Sequence, residues 1–198
     1  CADDADPGQG DADHDGLGDA CDPCTNTGDV VATRARLTLR GLGAPPGDDR
    51  MKLAGILTLP SEGFDPAANG MRVLVTDGGG SLVVDASITP GLYETANAAG
   101  WKVNGARTVF VYVAKGGVVP ALGGVTKVVV KRAKKAPGQV KIGVAAAGGT
   151  YPLPAALPLT ATVVFDPPYA ATNLCGDLRL TPPGLCACTA PPGTIKCK

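Results

Sequence analysis

Residues 71–88, which read MRVLVTDGGGSLVVDASI, carry the strongest fold signal in the chain. Two apolar stretches, Met71–Thr76 and Ser81–Ile88, flank the tetrapeptide DGGG at 77–80. A short connection rich in Asp and Gly between two such stretches is typical of the turn of a β-hairpin. The segment therefore predicts two antiparallel strands joined by a tight turn.

Six further segments repeat the strand pattern on either side of this hairpin. In the first of them Arg and Thr alternate with Ala and Leu, which is the period of two expected of a half-buried strand. The six are Arg34–Arg40, Met51–Leu59, Thr108–Ala114, Val125–Arg132, Val140–Ala146 and Leu159–Phe165. The best local candidate for a helix is the short segment Tyr93–Ala99. About eight short strands separated by turns predict an antiparallel sandwich or barrel, and we expect an immunoglobulin-like or jelly-roll-like β-sandwich.

The charges of the chain are distributed unevenly. Residues 1–29 contain nine Asp and no Lys or Arg, whereas the remaining residues contain all 18 basic residues and nine acidic ones. The formal net charge of the whole chain is nevertheless zero. This asymmetry indicates an acidic head, residues 1–29, attached to a basic body.

Within the acidic head, the segment DADHDGLGDACD at residues 11–22 has the pattern of a calcium-binding loop of EF-hand type. Such a loop needs alternating carboxylates, a glycine at the sharp turn and a backbone carbonyl ligand directly after it. Hard oxygen ligands at this density favour calcium over zinc or copper, and a solvated acidic tail is the alternative. The predicted calcium ligands are Asp11, Asp13, Asp15, the carbonyl of Leu17, Asp19 and Asp22.

The same segment, together with Cys1, Gln9, Gly18, Cys21 and Cys24, resembles a thrombospondin type-3 repeat over residues 1–24. The resemblance implies calcium wrapped by an irregular peptide with almost no core, and a disulfide between Cys1 and Cys21. Because such repeats often bind more than one ion, the resemblance adds three weaker candidate calcium ligands, Asp3, Asp4 and Asp6. In bacteria these repeats act as calcium-stiffened spacers on secreted and surface proteins.

Seven cysteines beside a calcium pattern indicate an oxidising, extracytoplasmic setting. The Pro-rich tail contains four of them, Cys175, Cys186, Cys188 and Cys197. Short loops favour the pairs Cys175–Cys186 and Cys188–Cys197. Cys24 then bridges to the tail by displacing one of these four, or bonds to another molecule. Cys1 has an alternative role as the lipid-bearing residue of a bacterial lipoprotein.

The chain thus divides into three predicted parts. Residues 1–29 form the calcium-binding head, residues 30–166 form the β-sandwich, and residues 167–198 form a disulfide-stapled tail packed on the sandwich. The aromatic residues Phe110 and Phe165 lie in strand patterns and are expected in the core, with Trp101 as a further candidate. No apolar run is long enough to span a membrane.

The residues that most enzymes need are scarce. The only histidine, His14, lies inside the predicted calcium loop, and a Ser–His–Asp triad would have to use this same residue. We therefore expect no enzyme activity. A basic stretch lacks the interleaved aromatic residues of a nucleic-acid site and is predicted to be the solvated face of a hairpin. It comprises Lys127, Lys131, Arg132, Lys134, Lys135 and Lys141.

These observations predict a secreted or surface protein that binds calcium and builds a filament, surface layer or matrix. The expected partners are copies of the chain itself, arranged head to tail, with surface polysaccharide as a second candidate and no nucleic acid. The alternative is a carbohydrate-binding or adhesive module of a larger secreted protein. Sugar recognition usually relies on flat aromatic platforms, and the chain contains one Trp, four Tyr and three Phe. This small number of aromatic residues favours the structural role.

Overall fold

The computed structural model describes residues 22–24, 33–43, 45–61, 63–115, 123–133, 136–167, 174–180, 186–188 and 193–197. Within these ranges the chain is almost entirely β, with one short helix, α1 (Pro66–Asn69). The strands are β1 (Thr33–Arg40), β2 (Asp49–Thr58), β3 (Met71–Thr76), β4 (Leu82–Ile88), β5 (Ala99–Val103), β6 (Val109–Ala114), β7 (Val125–Arg132), β8 (Gln139–Gly149), β9 (Thr160–Val164), β10 (Cys175–Arg179), β11 (Cys186–Cys188) and β12 (Thr194–Cys197).

The strands form two antiparallel sheets that share one core. The larger sheet has eight strands in the order β11-β12-β1-β2-β8-β7-β6-β5, and the smaller has four in the order β10-β9-β3-β4. Buried residues from both sheets belong to a single hydrophobic cluster. The predicted antiparallel β-sandwich is therefore confirmed, and all eight predicted strands are present.

Alternation of apolar and polar residues sets the inner face of each sheet, because successive side chains of a strand point to opposite sides. In β2, Met51, Leu53 and Leu57 are buried while Arg50 and Lys52 are exposed. The expected core aromatics are confirmed at three positions that have no exposed surface: Trp101, Phe110 and Phe165.

Four strands lie outside the predicted set, and the segment considered for a helix does not form one. Leu92 makes a parallel bridge to Trp101 and Glu94 an antiparallel bridge to Ala99, so the residues before β5 run along its edge. The remaining three extra strands come from the tail: β10 joins the smaller sheet, whereas β11 and β12 join the larger one. The tail thus contributes to both layers.

A close contact shows how the tail enters the core. A Cβ atom built on Gly55 of β2 would lie 2.5 Å from a methyl carbon of Leu178 on β10. Leu178 has no exposed surface. The absence of a side chain at Gly55 therefore makes the space that this leucine fills, and a larger residue there would require the Leu178 side chain to move.

Candidate functional site

Among the described residues that the strand register places on it, the outer side of the eight-stranded sheet carries nine exposed basic side chains, and we call it the basic face. Six strands, β12, β1, β2, β8, β7 and β5, contribute one or two of these cations each. The nine are Arg36, Arg40, Arg50, Lys52, Lys102, Lys127, Lys131, Lys141 and Lys196.

The strand register places three of these lysines in one row across the sheet. Successive cross-strand partners run from Lys196 through Thr38, Lys52 and Ala145 to Lys127. Since neighbouring strands are about 4.8 Å apart, a cation recurs about every 9.6 Å along this row. We call Lys196, Lys52 and Lys127 the first lysine row.

Beside this row lies a strip of small and apolar residues, which we call the neutral strip. Its members are successive cross-strand partners on β2, β8, β7 and β6: Ala54, Gly143, Val129 and Val111. Arg36 pairs with the first of them and Lys102 with the last, so a cation closes each end. A Cβ atom built on Gly143 would meet nothing within 4 Å, which leaves the strip open at its centre.

A second lysine row follows on the far side of the neutral strip. It consists of Lys141 on β8 and Lys131 on β7, which are direct cross-strand partners. The two rows are four residues apart along the strands, or about 13 Å. The neutral strip is therefore flanked by lysines along both sides and capped by cations at both ends.

In the described part of the eight-stranded sheet, no exposed acidic residue balances the basic face. Among the described residues of the eight-stranded sheet the one carboxylate is Asp49, which is 3 % exposed and accepts a hydrogen bond from the Tyr151 backbone N–H. The ion pairs found in the described ranges, Arg72–Asp85 and Arg107–Asp65, lie elsewhere.

Like charges directly opposite one another destabilise a sheet. The face contains two such pairs, Arg40 with Arg50 and Lys131 with Lys141. An anion bound across them would relieve this repulsion.

The acidic head is attached on the opposite side of the sandwich. Cys24 forms a disulfide with Cys175 on β10, and both pack on Val164 in a small cluster separate from the main core. Val164 lies opposite Arg72 in the register and therefore points out of the sandwich, like the partly exposed arginine. The disulfide thus covers the outer side of the smaller sheet. Because two packed sheets are about 10 Å apart, a whole sandwich separates this attachment point from the basic face.

Of the predicted calcium ligands, only Asp22 lies within the described residues. Its carboxylate is buried, and Oδ1 accepts a hydrogen bond of 2.8 Å from the Cys24 backbone N–H. Ligating carboxylates are usually held by such additional hydrogen bonds, so this residue fits the assigned role. The other ligands lie outside the described residues, as do Cys1 and Cys21: Asp3, Asp4, Asp6, Asp11, Asp13, Asp15, Leu17 and Asp19. The part of the chain that is described contains no group of three or more residues arranged to hold a metal.

The preference for a Cys175–Cys186 bridge is wrong. Cys175 is bonded to Cys24 across 151 residues, because β10 joins the smaller sheet while β11, which carries Cys186, joins the larger one. Cys197 is also disulfide-bonded. Its predicted bridge to Cys188 stays a prediction.

The basic stretch predicted around Lys127 is divided by the structure. Its described lysines belong to the basic face, but Arg132 turns inward, with its guanidinium 4.4 Å from the centre of the Phe64 ring. Arg132 also donates a hydrogen bond of 2.7 Å to the Phe64 carbonyl oxygen. Lys134 and Lys135 lie outside the described residues.

Sequence reasoning missed that six other cations share this face, since they lie on strands distant in the chain. The alternation of basic and apolar residues in β1 and β2 was the available signal.

Aromatic side chains form no exposed platform within the described ranges. The one half-buried ring is Tyr93, and the Lys102 ammonium lies 4.2 Å from its centre. The other described aromatics are buried or, like Tyr112 and Tyr151, nearly so.

Comparison of the chain with protein-family models, curated proteins and solved structures gave no match. The resemblance of residues 1–24 to a thrombospondin type-3 repeat therefore stays a prediction. No described helix is long and apolar enough to cross a membrane.

Proposed function

We propose that this chain is a secreted structural protein that assembles head to tail with copies of itself into an extracellular filament, surface layer or matrix. The observation that supports this most is the position of the Cys24–Cys175 disulfide, on the side of the sandwich opposite to the basic face. Each subunit therefore has a strongly acidic segment attached at one side and nine unbalanced cations on the other.

Contact between two different surfaces does not close on a pair of subunits but continues into a ring or an open polymer. Electrostatic attraction between exposed groups is weak and is screened beyond about 8 Å at physiological salt. We therefore expect charge to orient the subunits. An added strand at a sheet edge, or a disulfide between subunits, would supply most of the stability.

Calcium would act on the head rather than on the sandwich. Asp11, Asp13, Asp15, Asp19 and Asp22 would hold the ion with the Leu17 carbonyl, and the ion would supply the charge that lets these carboxylates converge. Such a site stiffens a segment that has few apolar residues of its own. The Cys24–Cys175 bridge is compatible with an oxidising compartment outside the cytoplasm.

The second candidate function is adhesion to an acidic surface polysaccharide. The neutral strip between two lysine rows favours it, because a linear polyanion could lie there with cations on both sides. Neutral sugars are a poorer fit, since the described part of the chain offers no exposed aromatic platform.

Light scattering and negative-stain electron microscopy of the purified chain in calcium at moderate salt test self-assembly. We expect particles much larger than one subunit, which form more slowly as salt is raised because salt screens the charges that orient the subunits. A monomer of 19.7 kDa at every salt concentration, with no filaments, would contradict the proposal.

A further inference from the structure

We propose that the neutral strip and its two lysine rows are the acceptor for the acidic head of a second copy of the chain. This inference rests on the proposed function, because it names the surface through which head-to-tail contacts form. The occupant is the part of the acidic head that precedes Cys24, which contains eight Asp and no Lys or Arg.

The dimensions of the site suit a peptide. From Arg36 on β1 to Lys102 on β5 the strip crosses six strands, which is about 24 Å at the usual strand spacing. An extended chain advances about 3.4 Å per residue, so roughly seven residues would fill this length. The lysine rows, about 13 Å apart, leave room for one backbone between them and reach its side chains from both sides.

The chemistry of the two partners is complementary. None of the nine cations of the basic face forms an ion pair with a described carboxylate, so carboxylates of the head can bind them without displacing a described acidic partner. A single bound Ca²⁺ would be held by five of the nine aspartates of the head, and Asp3, Asp4 and Asp6, which precede that loop, would remain to contact the lysines. The repulsion within the Lys131–Lys141 pair would fall when a carboxylate lies between the two ammonium groups.

The attachment of the head favours a neighbour over the subunit itself. Cys24 is held on the outer side of the smaller sheet by its bond to Cys175. To reach its own basic face, the preceding segment would have to pass around an edge of the sandwich. The basic face of a subunit stacked on that side meets the segment directly.

Mixing two complementary full-length variants tests this contact. The face variant carries Lys52→Glu, Lys127→Glu, Lys131→Glu and Lys141→Glu. The head variant carries Asn in place of eight aspartates of the head and retains Asp22, which is hydrogen-bonded to Cys24. Each variant lacks one half of the contact, so each alone should remain monomeric. An equimolar mixture should form a one-to-one complex that grows no further.

A matched pair of milder variants distinguishes an effect of charge on the basic face from an effect of the net charge of the chain. Lys127→Gln/Lys131→Gln removes two positive charges from the basic face, whereas Ser81→Glu/Leu82→Glu adds two negative charges at exposed positions of the β3–β4 hairpin. Both change the net charge by the same amount. We expect the first to weaken self-association about tenfold or more and the second to leave it unchanged or stronger. Circular dichroism and the count of free thiols verify that all variants fold.

The outcomes separate the inference from the function on which it rests. A wild-type chain that never assembles contradicts the proposed function. A wild-type chain that assembles, with the face variant assembling equally well, contradicts only this inference. A wild-type chain that binds polygalacturonate through the four lysines, and fails to bind the head of another copy, assigns the site to an acidic polysaccharide and also overturns it.

Discussion

The Asp77 side chain joins the β3–β4 turn to the segment that precedes β9: its Oδ2 accepts a hydrogen bond of 2.9 Å from the backbone N–H of Ala155. Its Oδ1 accepts two more from within the turn, from Gly79 at 3.0 Å and Ser81 at 2.9 Å. One carboxylate therefore holds the turn of the β3–β4 hairpin and joins it to a loop 78 residues further along the chain.

We predict that Asp77→Asn destabilises the protein at neutral pH and much less in acid. Hydrogen bonds from the backbone, that of Ser81 first and that of Ala155 second, lower the pKa of Asp77 below its ordinary 3.8. A lowered pKa in the folded state gives stability that is present above about pH 4 and is lost as the pH falls through the folded-state pKa. Urea unfolding of both proteins at pH 7 and in acid measures this. An equal difference in unfolding free energy at both pH values would contradict it.

Removing the Cys24–Cys175 bridge should destabilise the sandwich strongly. The bond closes a loop with a sequence separation of 151 residues, which corresponds to about 5 kcal/mol in the chain-entropy model. The double variant Cys24→Ala/Cys175→Ala, compared with wild type by denaturant unfolding, should lose most of this amount. A loss below about 1 kcal/mol would show that residual structure in the unfolded chain cancels the constraint.

We predict that Tyr151 makes the folded protein less stable in alkali. Burial, and secondarily the negative charge of Asp49, raise the pKa of Tyr151 to about 12, above the ordinary 10.0. Between these values the unfolded chain ionises while the folded chain stays neutral, so stability should fall as the pH rises from 10 and level off near 12.

The Tyr151→Phe variant should lose this alkaline step, together with the hydrogen bond that the hydroxyl donates to the Gly123 carbonyl oxygen. Unfolding free energies measured across this range provide the test. An identical pH dependence in both proteins would argue against the assignment.

Calcium binding by the head is predicted to depend on Asp13. An extracellular module of this kind needs an affinity of only about 0.1–1 mM, and Asp13→Ala removes one of the carboxylates that neutralise the ion. Calorimetric titration should show weaker binding in this variant. Asp48→Ala, an exposed aspartate of the body, is the matched control and should bind calcium like wild type. Unchanged stoichiometry and affinity in Asp13→Ala would rule out the predicted loop.

The sequence predicts the sandwich well because local alternation decides which side of a strand is buried. It cannot predict the basic face, because Lys52 and Lys127 become neighbours only through Ala145 on an intervening strand. Register of that kind depends on packing between distant segments. The strand β10 escapes prediction because it has one apolar side chain directed inward, Leu178, and depends on the space beside Gly55.

The most direct test of head-to-tail contact is carbodiimide cross-linking of a mixture of unlabelled and ¹⁵N-labelled full-length chains, followed by mass spectrometry. This reagent joins a carboxylate to an amine in contact with it, and the isotopes distinguish bonds between chains from bonds within one chain. We predict mixed-isotope cross-links between aspartates of residues 1–29 and Lys52, Lys127, Lys131 or Lys141. Cross-links from the head to these lysines that occur only within one chain, or none at all, would contradict it.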